Sequence, residues 1–202
     1  MSNTLESVVH KVDVREQPQV VGAFPGQPSM WFFIIGDLLI FGAYFIAYMA
    51  YRSQEPDVFL QSQQAMNQGV GAINTIVLLT SSLFVALGTE AVRAQKIRDS
   101  LRLFGLAMVF GALFPVLKIF EWLPKIEAGH TPGENLYLMF YYVMTGLHLF
   151  HVLLGLVILG FVMRNIKTAA NPDVRFVETG AIYWHMVDLL WLVLFALFYL
   201  MR

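Results

Sequence analysis

The sequence predicts an all-α, polytopic membrane protein with five transmembrane helices, its N-terminus inside and its C-terminus outside. Composition is the first reason: 57% of the 202 residues are hydrophobic and only 13% are charged, against about 45–50% apolar and about 25% charged in a soluble domain. The second is length. About 20 apolar residues cross a bilayer as a helix, because the backbone must satisfy its own hydrogen bonds in hydrocarbon, and five stretches qualify. The third is the distribution of Lys and Arg, which collect on the cytoplasmic side of spanning segments. Alternate connectors carry nine basic residues on one face, from Lys11 and Arg15, Arg93 to Arg102 and Arg164 to Arg175, against Arg52, Lys125 and Arg202 on the other.

The elements follow in order. Residues 1–28 read as a polar N-terminal tail, and residues 29–202 as one transmembrane domain. The first apolar run starts near Pro28 behind polar sequence and lacks a small-residue cleavage site, so it reads as a span and not as a removable signal peptide. The spans are 29–51, 70–92, 102–123, 135–163 and 178–201. Short connectors hold the turn-formers and charges: 52–68, 93–101, 124–134 and 164–177. No soluble domain fits into them, and no internal repeat is visible. A formal net charge of -1 provides no basic field for nucleic acid. With no cysteine, disulfides, iron–sulfur clusters and thiolate chemistry are excluded. Any metal or haem would need the five His, the ten Met or the carboxylates.

An ionisable side chain inside the bilayer costs a few kcal/mol and asks for a reason. Asp37 lies in the first span, about 12 Å from its inner end at about 1.5 Å per residue. In the second, Asn74, Ser81 and Gly88 recur at seven-residue intervals, a small and polar stripe suited to close packing. Gly42 does the same in the first. The third span ends with Lys118 and Glu121, placed to pair near the outer interface or to let the lysine snorkel. His148 and His151 share one face of the fourth span, and His185 and Asp188 one face of the fifth. Imidazole and carboxylate ligate iron and copper, which raises a haem or metal site. Depth opposes a bis-His haem, since His148 lies about 24 Å from the inner end of its span and His185 about 10 Å from that of its own. The alternative is an interhelical network in which His185, Asp188, Asp37 and His151 satisfy one another, with proton conduction as a further role.

In order, Met30 to Phe45 (MWFFIIGDLLIFGAYF), Ile73 to Ser82 (INTIVLLTSS), Leu117 to Trp122 (LKIFEW), Thr145 to Gly155 (TGLHLFHVLLG) and Tyr183 to Phe195 (YWHMVDLLWLVLF) resemble the successive helices of subunit III of haem-copper oxidases. The resemblance covers nearly all of the chain after residue 28. It is closest to the five-helix bacterial form and, through Gly-Asp at Gly36 and Asp37 in place of Ser-Glu, to the subunit III-like protein associated with nitric oxide reductase. The family's buried Glu before the Asn-Thr pair has no counterpart between Asn67 and Ile73.

The resemblance implies a non-catalytic accessory subunit in a bacterial inner (plasma) membrane, with no catalytic residue and no metal ligand of its own. Haem and copper would sit in a partner, the catalytic haem-containing subunit; membrane lipids would be the other partner, with room for bound phospholipid. Asp37 takes the place of the family's first intramembrane carboxylate, Glu121 that of the Glu before an aromatic, and His148, His151, His185 and Asp188 those of its last two helices, a polar network that is structural or proton-linked. Small residues on the first two spans permit close approach, and one of these two spans would receive the catalytic subunit. The competing readings are an independent membrane redox enzyme or cytochrome b using His148, His151 and His185, and a small transporter coupled through Asp37 and Asp188.

Overall fold

A computed structural model describes residues 28–64, 66–169 and 172–201; the predicted polar tail lies outside them apart from Pro28. All the regular structure among the described residues is helical: α1 (Pro28–Gln54), α2 (Pro56–Gln64), α3 (Gln68–Arg93), α4 (Ile97–Glu127), α5 (Leu136–Thr168) and α6 (Val174–Phe195), closed by a π-helical turn at Ala196–Leu200. Five of these are long and apolar enough to cross a membrane.

The helix starts follow local chemistry. Asn67 caps α3 by accepting from the backbone N–H groups of Gly69 and Val70, Asn135 caps α5 at Leu138, and Asp173 caps α6 at Arg175. α4 stops where Gly129 takes a φ of 89°, a left-handed geometry that suits glycine. The spans overrun the predicted ones at most ends, because apolar content marks the hydrocarbon and not the helix. Two differences are larger. The connector 52–68 contains α2, whose Phe59 and Gln63 are buried against the bundle. Residues 124–127, predicted as loop on account of Pro124, continue α4; Lys125 reaches back one turn to Glu121 at 2.9 Å and holds the chain helical there.

α6 is the most buried span and α1 the least. α6 packs against α3 and α5, α4 lies across α3 and α5, and α1 rests on α5 and α6 through Ile34, Phe41 and Tyr48, three buried residues seven apart. The centre is wedged by Trp184, which is almost fully buried. Its ring sits in a slot floored by two glycines on facing helices: a Cβ on Gly111 would lie 2.7 Å from it, and one on Gly155 2.8 Å. Ser81 and Gly88 face α4, where Ser81 donates to the Ala107 carbonyl at 2.7 Å and a Cβ on Gly88 would meet Phe104 at 3.0 Å; Asn74, on the same stripe, is fully buried. Among the described residues Gly42 has nothing within 4 Å of such a Cβ, so its small size serves no contact with them.

The two ends of the bundle differ. One carries Arg93, Lys96, Arg98, Arg102, Arg164, Lys167 and Arg175, and there Arg93 ties α3 to α6 through Glu178 at 2.8 Å. At the other, carbonyls of the π-helical turn, at the end of a helix where intrahelical partners run out, are taken up by side chains from four other helices. Tyr48 of α1 and Gln63 of α2 both donate to Leu197, Tyr137 of α5 donates to Phe198, and Gln68 of α3 donates to Tyr199.

Candidate functional site

Three polar groupings lie inside the bundle. The largest sits at the end closed by the π-helical turn. Lys118 is completely buried and spends all three ammonium hydrogens, on Glu121 at 2.8 Å, Tyr199 at 2.8 Å and Tyr141 at 3.1 Å. Glu121 accepts at its other oxygen from Tyr199 at 2.6 Å, Tyr141 at 2.8 Å and Lys125 at 2.9 Å. The Lys118 ammonium also lies 5.0 Å from the ring centres of Tyr141 and Trp191, where the negative ring faces attract a cation. The snorkelling alternative for Lys118 therefore does not hold: the side chain turns inward because carboxylate, hydroxyls and rings there replace its water. One carboxylate is shared by two ammoniums, and the removal of Glu121 strands the one that is wholly enclosed, Lys118.

The second grouping joins α1 to α5. His151 Nδ1 lies 2.8 Å from the Leu147 carbonyl. A carbonyl only accepts, so Nδ1 carries the hydrogen and Nε2 is left to face Asp37 Oδ1 at 3.5 Å. α5 is 33 residues long against 27 for α1, and this overhang brings His151 level with Asp37. The third joins α3 to α6, where Ser82 Oγ lies 2.6 Å from His185 Nδ1; Asp188, one turn further along α6, keeps its buried Oδ1 without a hydrogen-bond partner among the described residues.

The structure thus divides the predicted network of Asp37, His151, His185 and Asp188: Asp37 faces His151 on one helix seam and His185 meets Ser82 on another, while Asp188 stands beside His185 on α6. His148 belongs to neither. It is enclosed by Trp191, stacked at 5.4 Å, and by the edge of Phe114, also at 5.4 Å, and among the described residues neither of its ring nitrogens has a hydrogen-bond partner. Trp191 is six residues beyond His185, about 9 Å along the helix at about 1.5 Å per residue, so His148 and His185 occupy different levels. Among the described residues, no three or more His, Cys, Asp or Glu side chains converge as a metal site requires.

Sequence reasoning found Lys118 and Glu121 but missed their partners. Lys125 was legible as the i+4 neighbour of Glu121, hidden by reading Pro124 as a helix end. Tyr141 and Tyr199 carried only a weak signal, a hydroxyl near the end of an apolar span, and Gln63 and Gln68 looked like loop residues.

Comparison with known proteins agrees with this architecture. Residues 25–202 match the cytochrome c oxidase subunit III family. The chain is 30% identical over 172 residues to a cytochrome c oxidase subunit 3 of Thermostichus vulcanus, covering 84% of each protein. It is 27% identical over 175 residues to that of Bacillus sp. (strain PS3), covering 86% of this chain and 84% of the relative. A heme-copper oxidase subunit I+III of Aeropyrum pernix is 30% identical over 185 residues, which take in 85% of this chain and 22% of the longer relative. With a five-span bundle and a match running from residue 25 to the last residue, the chain belongs to the subunit III family of the haem-copper oxidases.

Proposed function

We propose that this chain is a non-catalytic accessory subunit of a respiratory haem-copper oxidase in a bacterial inner membrane. It binds the catalytic haem-containing subunit and supports that subunit's assembly, working lifetime and proton uptake, and it contributes no metal or haem ligand. The observation that carries the reading is how its interior ionisable groups are used. Lys118, Glu121 and Lys125 are consumed in bonds between helices and to buried tyrosines, and His151 spends one nitrogen on a backbone carbonyl. The end rich in Lys and Arg faces the cytoplasm, which puts the Lys118–Glu121–Lys125 cluster near the outer surface. The Aeropyrum relative, a subunit I+III, supports a partner of the subunit I kind. Purification in mild detergent tests the reading: a haem-containing subunit should accompany the chain, and recovery of the chain with no haem protein would overturn it.

Nitric oxide reduction by the complex is a second reading, favoured by the Gly36–Asp37 dipeptide and its likeness to the reductase-associated form. Neither chemistry takes place in this chain, so the partner decides between them.

The proton-linked part of the proposal rests on the Asp37–His151 pair and on Asp188, all in the half of the bundle nearer the basic end. An Asp37→Asn, Asp188→Asn double variant should assemble with its partner yet lower turnover, most at high pH where protons are scarce, and shorten the lifetime of activity. Unchanged turnover, pH profile and inactivation rate in a normally assembled complex would remove the proton role and leave a structural one.

A further inference from the structure

A cavity of about 220 Å³ opens between α2, the end of α4 and the start of α5, and Lys125 lines it with a side chain only 14% exposed. The buried cluster to which Lys125 belongs is not balanced: Lys118 and Lys125 share the single carboxylate of Glu121, which leaves a surplus of one positive charge. Lys125 is also poorly matched. Glu121 at 2.9 Å is its one strong acceptor. Its other contacts are the Met66 thioether sulfur at 2.9 Å, a weak acceptor, and the Tyr141 hydroxyl at 3.5 Å, the limit of a hydrogen bond.

The rest of the wall is rich in donors. Asn135 Nδ2 donates to Ser62 Oγ at 3.2 Å, which leaves the Ser62 hydroxyl hydrogen to donate in its turn. Gln61 adds an amide, and the first turn of α5 adds the positive end of a helix dipole. Glu134 is the single carboxylate among the described lining residues, and it is turned to His130 at 2.9 Å. Water in the cavity hydrates the lysine but leaves the surplus charge standing. An oxyanion cancels that charge and accepts from several donors at once. A phosphate presents acceptor oxygens in several directions, which suits an ammonium, a hydroxyl and an amide on different walls.

We propose that this cavity binds a phosphate group through Lys125 and Ser62, carried by a lipid headgroup or free in solution. The inference goes beyond the accessory-subunit reading and stands on this chain alone. Occupancy stabilises the end of the bundle closed by the π-helical turn, because the ligand supplies the counter-charge that the Lys118–Glu121–Lys125 cluster lacks and binds only the folded chain.

The test is a titration of the purified full chain, delipidated in mixed micelles, with inorganic phosphate in one arm and short-chain phosphatidylglycerol in the other. Phosphorus NMR reads the binding and SDS titration reads the stability. Saturable binding that raises the SDS midpoint is expected in at least one arm. Lys125→Gln should weaken it about tenfold, the loss of one charge-assisted contact, and Glu134→Gln should tighten it by removing the acid from the wall. Arg102→Gln, an exposed charge at the opposite end of the bundle, should leave it unchanged. Lys125→Gln also takes a partner from Glu121, whereas Glu134 lies outside that cluster, so its variant reads the cavity without disturbing the core. Binding of inorganic phosphate supports the proposal with a free anion as the source, and binding of the lipid alone supports it with a headgroup. Absence of saturable binding in both arms would overturn it, as would binding that Glu134→Gln leaves unchanged. Binding weakened as much by Arg102→Gln as by Lys125→Gln would overturn it as general attraction to basic surface. The accessory-subunit reading is untouched by any of these failures.

Discussion

Glu121→Ala is expected to destabilise the bundle by about 3–5 kcal/mol, the range for breaking a buried ion pair by removing one partner. The carboxylate is the acceptor for Lys118, Lys125, Tyr141 and Tyr199 together, and Lys118 is wholly enclosed. Without Glu121 the Lys118 ammonium keeps its two hydroxyl contacts but has no counter-charge and no route to water. The loss is read as the midpoint shift in an SDS titration of the protein in mixed micelles. Because the penalty comes from a stranded charge and not from the missing contact itself, a Lys118→Met, Glu121→Gln double variant should be the more stable of the two. It removes the buried ammonium and leaves an amide oxygen to accept from Tyr199, while Lys125, partly exposed, reaches solvent. A double variant as unstable as Glu121→Ala would show that shape, and not charge, governs this end of the bundle.

Trp184 carries the second large effect. Trp184→Ala empties the slot between Gly111 and Gly155 and should cost about 3–5 kcal/mol, as large-to-small changes in a packed core do. Gly155→Leu should also destabilise, by about 1–3 kcal/mol or more, since its first carbon alone would lie 2.8 Å from the indole. Combined, the two should cost clearly less than their sum, because the leucine enters the space that the indole leaves. The same micelle titration measures the coupling. Strict additivity would mean that Trp184 and Gly155 do not share one volume. The energy at stake is packing: helices in lipid gain nothing from excluding water from each other, so close contact through small residues does the work.

The five spans were legible because hydrocarbon imposes the same demand on every spanning segment, and runs of apolar residues answer it directly. α2 was not legible. It lies at the end of the bundle, holds on through Phe59 and Gln63, and nothing in PDVFLQSQQ separates it from a polar connector. The extension of α4 through Pro124 was hidden for a local reason, a proline that ordinarily ends a helix, outweighed here by the Lys125–Glu121 contact. Within the candidate site, spacing placed His148 with His151 and His185 with Asp188 on common faces, yet could not say which faces meet. Helix rotation and the overhang of α5 decide that Asp37 finds His151, while Ser82, a residue with no signal beyond its small size, finds His185. The partners of Lys118 were illegible for a related reason. Tyr199 reaches it from a π-helical turn, and the change of helical phase there cannot be read from an apolar run.

Dissociating the purified complex, separating the chains and recording the optical spectrum and metal content of each decides whether this subunit serves redox chemistry located in a neighbour. All the haem and copper should follow the partner, and this chain should show no Soret band and no stoichiometric iron or copper. A Soret band or a stoichiometric metal retained by this chain, lost on His148→Ala or His185→Ala, would contradict it and make the histidines ligands of an independent redox centre.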